Sequence, residues 1–240
     1  MSKNKLQFQI TALSAFVVLL FLSSISLQAQ NQPAPLVIQS QKNAIEQPGQ
    51  IKDILAQKPE FYSEKVETSG YSPLAIGIVP PIQLPGRTWD VFILRINIFA
   101  GVNNNVQFFD VGVLGNITLG DMTGLEVCGI WNKVNLKMTG LQIGGFGNTV
   151  KGNVIGAQIA SFVNYNSPIT NTKGLQISCA NFTGVMDGVQ IGLYNYSKTF
   201  SGVQIGVVNF AENLSGLQIG LLNIIQDSNV PLMIGLNLGF

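Results

Sequence analysis

Hydrophobic and polar positions alternate with a period of two along the second half of the chain, and they do so in repeating phrases. Gly-Val-Gln-Ile-Gly-Leu-Tyr-Asn opens at Gly188, Gly-Val-Gln-Ile-Gly-Val-Val-Asn at Gly202, and Gly-Leu-Gln-Ile-Gly-Leu-Leu-Asn at Gly216. Within one unit Val203, Ile205 and Val207 share a face, while Gly202, Gln204 and Gly206 share the other. This period and the β-branched residues predict strands. A helix opened by Gly, with another Gly four residues on, would be a poor helix. Opening glycines recur at Gly124, Gly140, Gly156, Gly174, Gly188, Gly202 and Gly216. The unit from Gly124 carries one extra residue before Asn132, which reads as a bulge. The class predicted is all-β.

Upstream, residues 89–100 place Phe92, Leu94, Ile96 and Ile98 against Val91, Ile93, Arg95, Asn97 and Phe99. A polar turn at 101–105 leads to a second strand at 106–117. Pairing Phe99 with Val106 puts Arg95 opposite Asp110, which predicts an antiparallel hairpin with a shielded cross-strand ion pair. At the other end Val230, Leu232, Ile234, Leu236, Leu238 and Phe240 share a face. That alternation resembles the last strand of an outer-membrane β-barrel, and the resemblance implies that Phe240 is a C-terminal assembly signal.

Two architectures suit the repeats. The favoured one is an antiparallel up-and-down barrel of about 10 strands, of outer-membrane type. Its strands are 89–100, 106–117, 122–134, 138–150, 153–165, 173–184, 186–197, 200–210, 214–225 and 230–240. Each is near the about 9–11 residues that a tilted membrane strand needs. The alternative is a β-solenoid with 14–18-residue coils, following the intervals between opening glycines. There Val203, Ile205 and Val207 would stack inward on Leu217, Ile219 and Leu221, with Asn209 on Asn223 as a turn ladder. Short apolar faces and identical turns, which supply no shear, count against the barrel. The Arg95–Asp110 hairpin and the terminal alternation count for it.

The remaining chain divides by composition. Lys3 and Lys5 precede an apolar stretch at 10–22, and small and polar residues run from it to Ala29. Residues 1–29 therefore read as a secretory signal peptide cleaved after Ala29. Residues 30–70 are a polar, mostly extended lead segment. Residues 71–88 are a Pro-rich lead-in whose prolines exclude a central strand, and 89–240 form the β repeat domain.

Composition narrows the chemistry. Charged residues make up 10% of the chain, against about 25% in soluble domains. A net charge of +1 gives no basic footprint for nucleic acid. Histidine, the commonest general base, is absent. No catalytic, cofactor-binding or metal-binding residue is assigned, and no enzyme or cofactor is expected. Gly-x-Gln-x-Gly lies within strands, without the helix and Lys-Ser/Thr of a phosphate loop. Cys128 and Cys179 lie three repeats apart, so small apolar packing is the first reading and a disulfide stays open. Gln190, Gln204 and Gln218, with Gln142, Gln158 and Gln176 before them, form a Gln ladder. It reads as hydrogen bonding between neighbouring strands, or alternatively as a polar lumen or a carbohydrate-facing strip.

The Gly-Leu-Gln-Ile-Gly-x-x-Asn units resemble the surface repeats of exported bacterial proteins of the leptospiral type. The resemblance includes Leu94-Arg95-Ile96-Asn97, Phe109-Asp110-Val111-Gly112, every repeat through Asn223, and the ending from Pro231 to Phe240. It implies an exported surface or outer-membrane protein and supplies no catalytic residues. The function expected is structural or interactive, at the outer membrane or cell surface, with a periplasmic or secreted location as the alternative. Its partners would be outer-membrane lipid and the barrel-assembly machinery. A small channel with a Gln-lined interior is the second reading, and an exported enzyme the third.

Overall fold

Each repeat folds as two strands separated by a bend, and successive repeats stack in parallel. The computed structural model describes residues 66–239. The stretch read as a signal peptide, the lead segment up to residue 65 and Phe240 lie outside the described residues. The first strands are β1 (Gly70–Val79), β2 (Ile82–Leu84), β3 (Trp89–Asn97), β4 (Ala100–Asn103), β5 (Val106–Gly112) and β6 (Gly115–Thr118). They are followed by β7 (Met122–Cys128), β8 (Trp131–Val134), β9 (Met138–Gly144), β10 (Gly147–Val150), β11 (Val154–Ala160), β12 (Val163–Asn166) and β13 (Asn171–Ile177). Finally β14 (Ala180–Ile191) and β15 (Tyr194–Ile225) run unbroken through the bends, and β16 (Leu232–Gly239) ends the domain.

The long strands β3, β5, β7, β9, β11 and β13 pair in parallel, and so do the short strands β4, β6, β8, β10 and β12. The result is an all-β solenoid of about eight coils. β1 adds in parallel to β3, β2 covers β1, and antiparallel β16 closes the other end on β15.

This architecture corrects the barrel. Candidate strand 122–134 is two strands, β7 and β8, joined by a bend at Gly129 and Ile130. The hairpin is corrected with it: Arg95 does pair with Asp110, but β3 and β5 run in the same direction. A period-two pattern reads the same in both directions, so it could not distinguish the two arrangements. The extra residue of the early units is not a strand bulge either. It lies in the bend, since Val163 pairs with Ala180 while Ile159 pairs with Ile177. Pro73 sits inside β1, where the register shifts between Ser72 and Leu74, so the proline-rich lead-in does supply a paired strand.

The faces are also the reverse of those expected for a solenoid. Val203 and Ile205 point outward, and the glutamines point in, each 0% exposed. The larger buried apolar side chains gather near the second bend of each coil, where Val106, Met122, Val134, Met138, Val150 and Val154 pack together. A second such cluster holds Met186, Phe200, Ala211, Leu214 and Ile225. Toward the first bend the interior is filled with amides.

The opening glycines make this stacking possible. Gly202 has φ +125°, and a Cβ there would collide with the carbonyl oxygen of Gly188 in the coil before. Gly235 also has positive φ, +83°, but open space around it. Gly235→Ala should therefore cost only the backbone penalty, about 1–2 kcal/mol. Gly202→Ala adds the collision and should cost roughly 3 kcal/mol or more. Urea denaturation midpoints check this, and equal losses at the two positions would contradict the stacking described.

Candidate functional site

The polar interior consists of two hydrogen-bonded columns. In the first, the side-chain nitrogen of each glutamine donates to the side-chain oxygen of the glutamine one coil earlier. Gln158 donates to Gln142 at 2.9 Å, Gln176 to Gln158 at 3.0 Å, and Gln190 to Gln176 at 2.8 Å. Gln204 donates to Gln190 and Gln218 to Gln204, both at 2.8 Å. The residue steps are 16, 18, 14, 14 and 14, so coils of unequal length keep one register. Extra residues are confined to bends.

The second column is asparagine, and its donors point the opposite way. Asn116 donates to Asn132, Asn132 to Asn148, and so on to Asn209, which donates to Asn223 at 2.8 Å. The second hydrogen of each amide is used as well. Asn132 donates to the carbonyl of Ile143, and Asn195 to that of Ile205. Saturation of both hydrogens is what allows these groups to be fully buried.

The glutamine column begins with charge. Asp110 accepts from Arg95 Nε at 2.8 Å, and also from Arg95 Nη2. The guanidinium further donates to the Ile117 carbonyl at 2.9 Å and to Thr118 Oγ1 at 3.1 Å. Burial acts to lower the pKa of Arg95, but the Asp110 charge and hydrogen bond outweigh it, and the net shift is upward. Glu126 is next in the column and accepts from Gln142 at 2.6 Å through Oε2. Burial first, and Asp110 second, push its carboxyl well above its ordinary value of 4.5. Protonation of Glu126 would leave the buried cluster electrically neutral, with one cation and one anion. All three side chains are 0% exposed.

Of the residues singled out in the sequence, Arg95 meets Asp110, and Gln190, Gln204 and Gln218 stand on one another. Phe240 lies outside the described residues. Sequence reasoning missed Glu126 as the third buried charge. The signal was its register, since Gly124-Leu125-Glu126-Val127 puts it where Gly140-Leu141-Gln142-Ile143 has glutamine. The continuous asparagine column was also missed beyond Asn209 and Asn223, because Asn116 and Asn132 lie in units with degraded motifs. Cys128 is buried and Cys179 exposed, and both are free, which closes the disulfide question. The glutamines are in direct hydrogen-bond contact from coil to coil, as the ladder between neighbouring strands requires.

The exterior is divided by charge. The first bends, between long and short strands, hold Ile98 and Phe99, Val113 and Leu114, Gly129 and Ile130, and Gly145 and Phe146, with no charged residue. The second bends and the strand ends beside them carry Asp121, Lys137, Lys151, Lys173, Asp187 and Lys198. Aromatic rings line the short-strand side in sequence, with Phe182 beside Tyr196 and Tyr196 stacked on Phe210 at 5.2 Å.

Comparison with protein-family models, curated proteins and solved structures finds no match.

The buried cluster makes two predictions. Asp110→Asn removes the bidentate partner of the guanidinium, leaving it only Glu126 Oε1, at 3.9 Å, as an acidic neighbour among the described residues, and should destabilise the fold by about 3–5 kcal/mol in chemical denaturation. Glu126 has a raised folded-state pKa, so its favourable contribution is complete below about pH 4.5 and is lost as pH rises through the folded value. Glu126→Gln extends the amide column and removes that titration. Above pH 4.5 the wild-type midpoint should fall relative to that of Glu126→Gln, and parallel pH profiles would refute the assignment.

Proposed function

We propose that this chain is an exported structural or interaction protein of the outer membrane or cell surface, acting without catalysis. The observation that carries this reading is where the polar chemistry is spent. Among the described residues, Arg95, Asp110 and Glu126 are sealed inside, with Arg95 held by Asp110 and Glu126 accepting from Gln142. A substrate has no route to them. The glutamine and asparagine columns are likewise consumed in holding coils together. What the domain offers outward is a long repetitive surface, which suits contact with an extended partner. Export rests on the charged n-region, the apolar stretch and the small residues before Ala29. Envelope lipid is the partner class most compatible with a chain of 10% charge.

Surface biotinylation of intact cells tests the placement, since Lys151 and Lys173 are exposed on the charged edge. Labelling of the chain in intact cells, and its recovery with the envelope, is the expected outcome. Recovery only in the cytoplasm after lysis would sink the proposal.

A further inference from the structure

We infer that the edge built from the first bends docks on the surface of a phospholipid bilayer. This deepens the interaction reading above by naming the partner and the face that meets it, and it rests on that reading.

The edge is continuous because the bends stack through their own main chain. Leu193 N donates to the Cys179 carbonyl at 2.9 Å, and Val207 N to that of Leu193 at 3.0 Å. Farther along, Phe146 N donates to Ile130 and Phe162 N to Phe146, at 2.9 and 3.0 Å. The side chains along this line are large and unburied, with Leu193 60%, Val207 42% and Leu221 65% exposed. From Phe99 to Leu221 the line runs about 40 Å, at roughly 4.8 Å per strand step.

Two features favour lipid as the occupant, and one permits it. First, charge is excluded from the first bends of every coil, while Lys and Asp collect at the opposite edge. A face in contact with acyl chains must exclude charge, whereas a protein interface tolerates charged residues at its rim. Second, the main-chain amides along the edge are paired from bend to bend. Hydrocarbon cannot satisfy a free amide, so this pairing, which the charged edge shares, permits lipid contact without selecting it. Third, the edge is a narrow ridge with strands falling away on both sides. A ridge offers little area to a flat protein surface, but it can sink about 5–10 Å between headgroups. Tyr194, beside Leu193, supplies the apolar ring and polar tip favoured at that depth.

The chain carries its own reporter. Cys179 is exposed on the ridge and Cys128 is buried, so a thiol-reactive bimane labels the ridge of the full chain. The probe is read against phosphatidylethanolamine and phosphatidylglycerol vesicles containing a doxyl-labelled phospholipid. A control places the bimane at Lys198→Cys, in a Cys179→Ser background, on the charged edge. The ridge probe should be quenched several-fold more strongly than the control. Leu193→Glu with Val207→Glu should reduce ridge quenching about tenfold or more, given the cost of placing charge in the interface. Should that variant misfold by circular dichroism, Leu221→Asn is expected to weaken quenching in the same direction. Equal quenching at ridge and control would overturn the inference, because any apolar leader reaching lipid would act on both alike. So would bismaleimide cross-links joining Cys179 of two copies while vesicles leave the ridge probe unquenched, which would make the ridge a protein interface. Surface labelling without ridge quenching would remove the docking alone. Ridge quenching by a chain that cells do not export would remove the surface reading alone.

Discussion

A buried primary amide has two donors and an acceptor to satisfy, and the rest of this molecule follows from how that is done. A lone glutamine in a protein interior costs about 1–3 kcal/mol for each group left unpaired. Placed above an identical glutamine one strand spacing away, it donates to that neighbour and accepts from the next. The condition is strict: the strands must be parallel, in register, and one step apart. The glutamine column from Gln142 to Gln218 meets it throughout. The asparagine column does the same with its donors reversed, so the two chains of amide dipoles oppose one another along the solenoid. A slip of one residue in any coil would break both columns at once.

This constraint explains the features that look odd for a solenoid. Coil length varies between 14 and 18 residues, but only at bends, since inserting a residue into a strand would displace an amide from its column. From β7 onward a glycine stands near the start of each repeat because the backbone there takes positive φ against the carbonyl of the previous coil. The aliphatic positions lie outside because the inside is already committed. Hydrophobic burial is then concentrated in the small clusters near the second bends, and the outer apolar rows remain available to a partner.

The start of the glutamine column shows how such a chain of amides can be ended. Arg95 and Asp110 form a neutral pair, and Glu126 joins them to the first glutamine by accepting from Gln142. Burial raises the pKa of the Glu126 carboxyl and so favours its protonated form, which is close in shape and hydrogen-bonding capacity to a glutamine amide. In that form Glu126 occupies a glutamine position without adding a second net charge to the interior.

Several parts of this account were legible in the sequence. Period-two alternation gave the class, the spacing of opening glycines gave the repeat units, and their register set Gln190, Gln204 and Gln218 side by side. The juxtaposition of Arg95 and Asp110 was legible too, although through a hairpin that does not exist. Strand direction and the assignment of faces were decided by the tertiary structure. Alternation is symmetric under reversal of a strand, and it says which residues share a face without saying which face is buried. Ordinarily hydrophobicity settles that question, because an isolated buried amide loses to an isolated buried leucine. Here the outcome is reversed, since each glutamine gains its partners from the coils on either side, and those partners exist only once the coils have stacked.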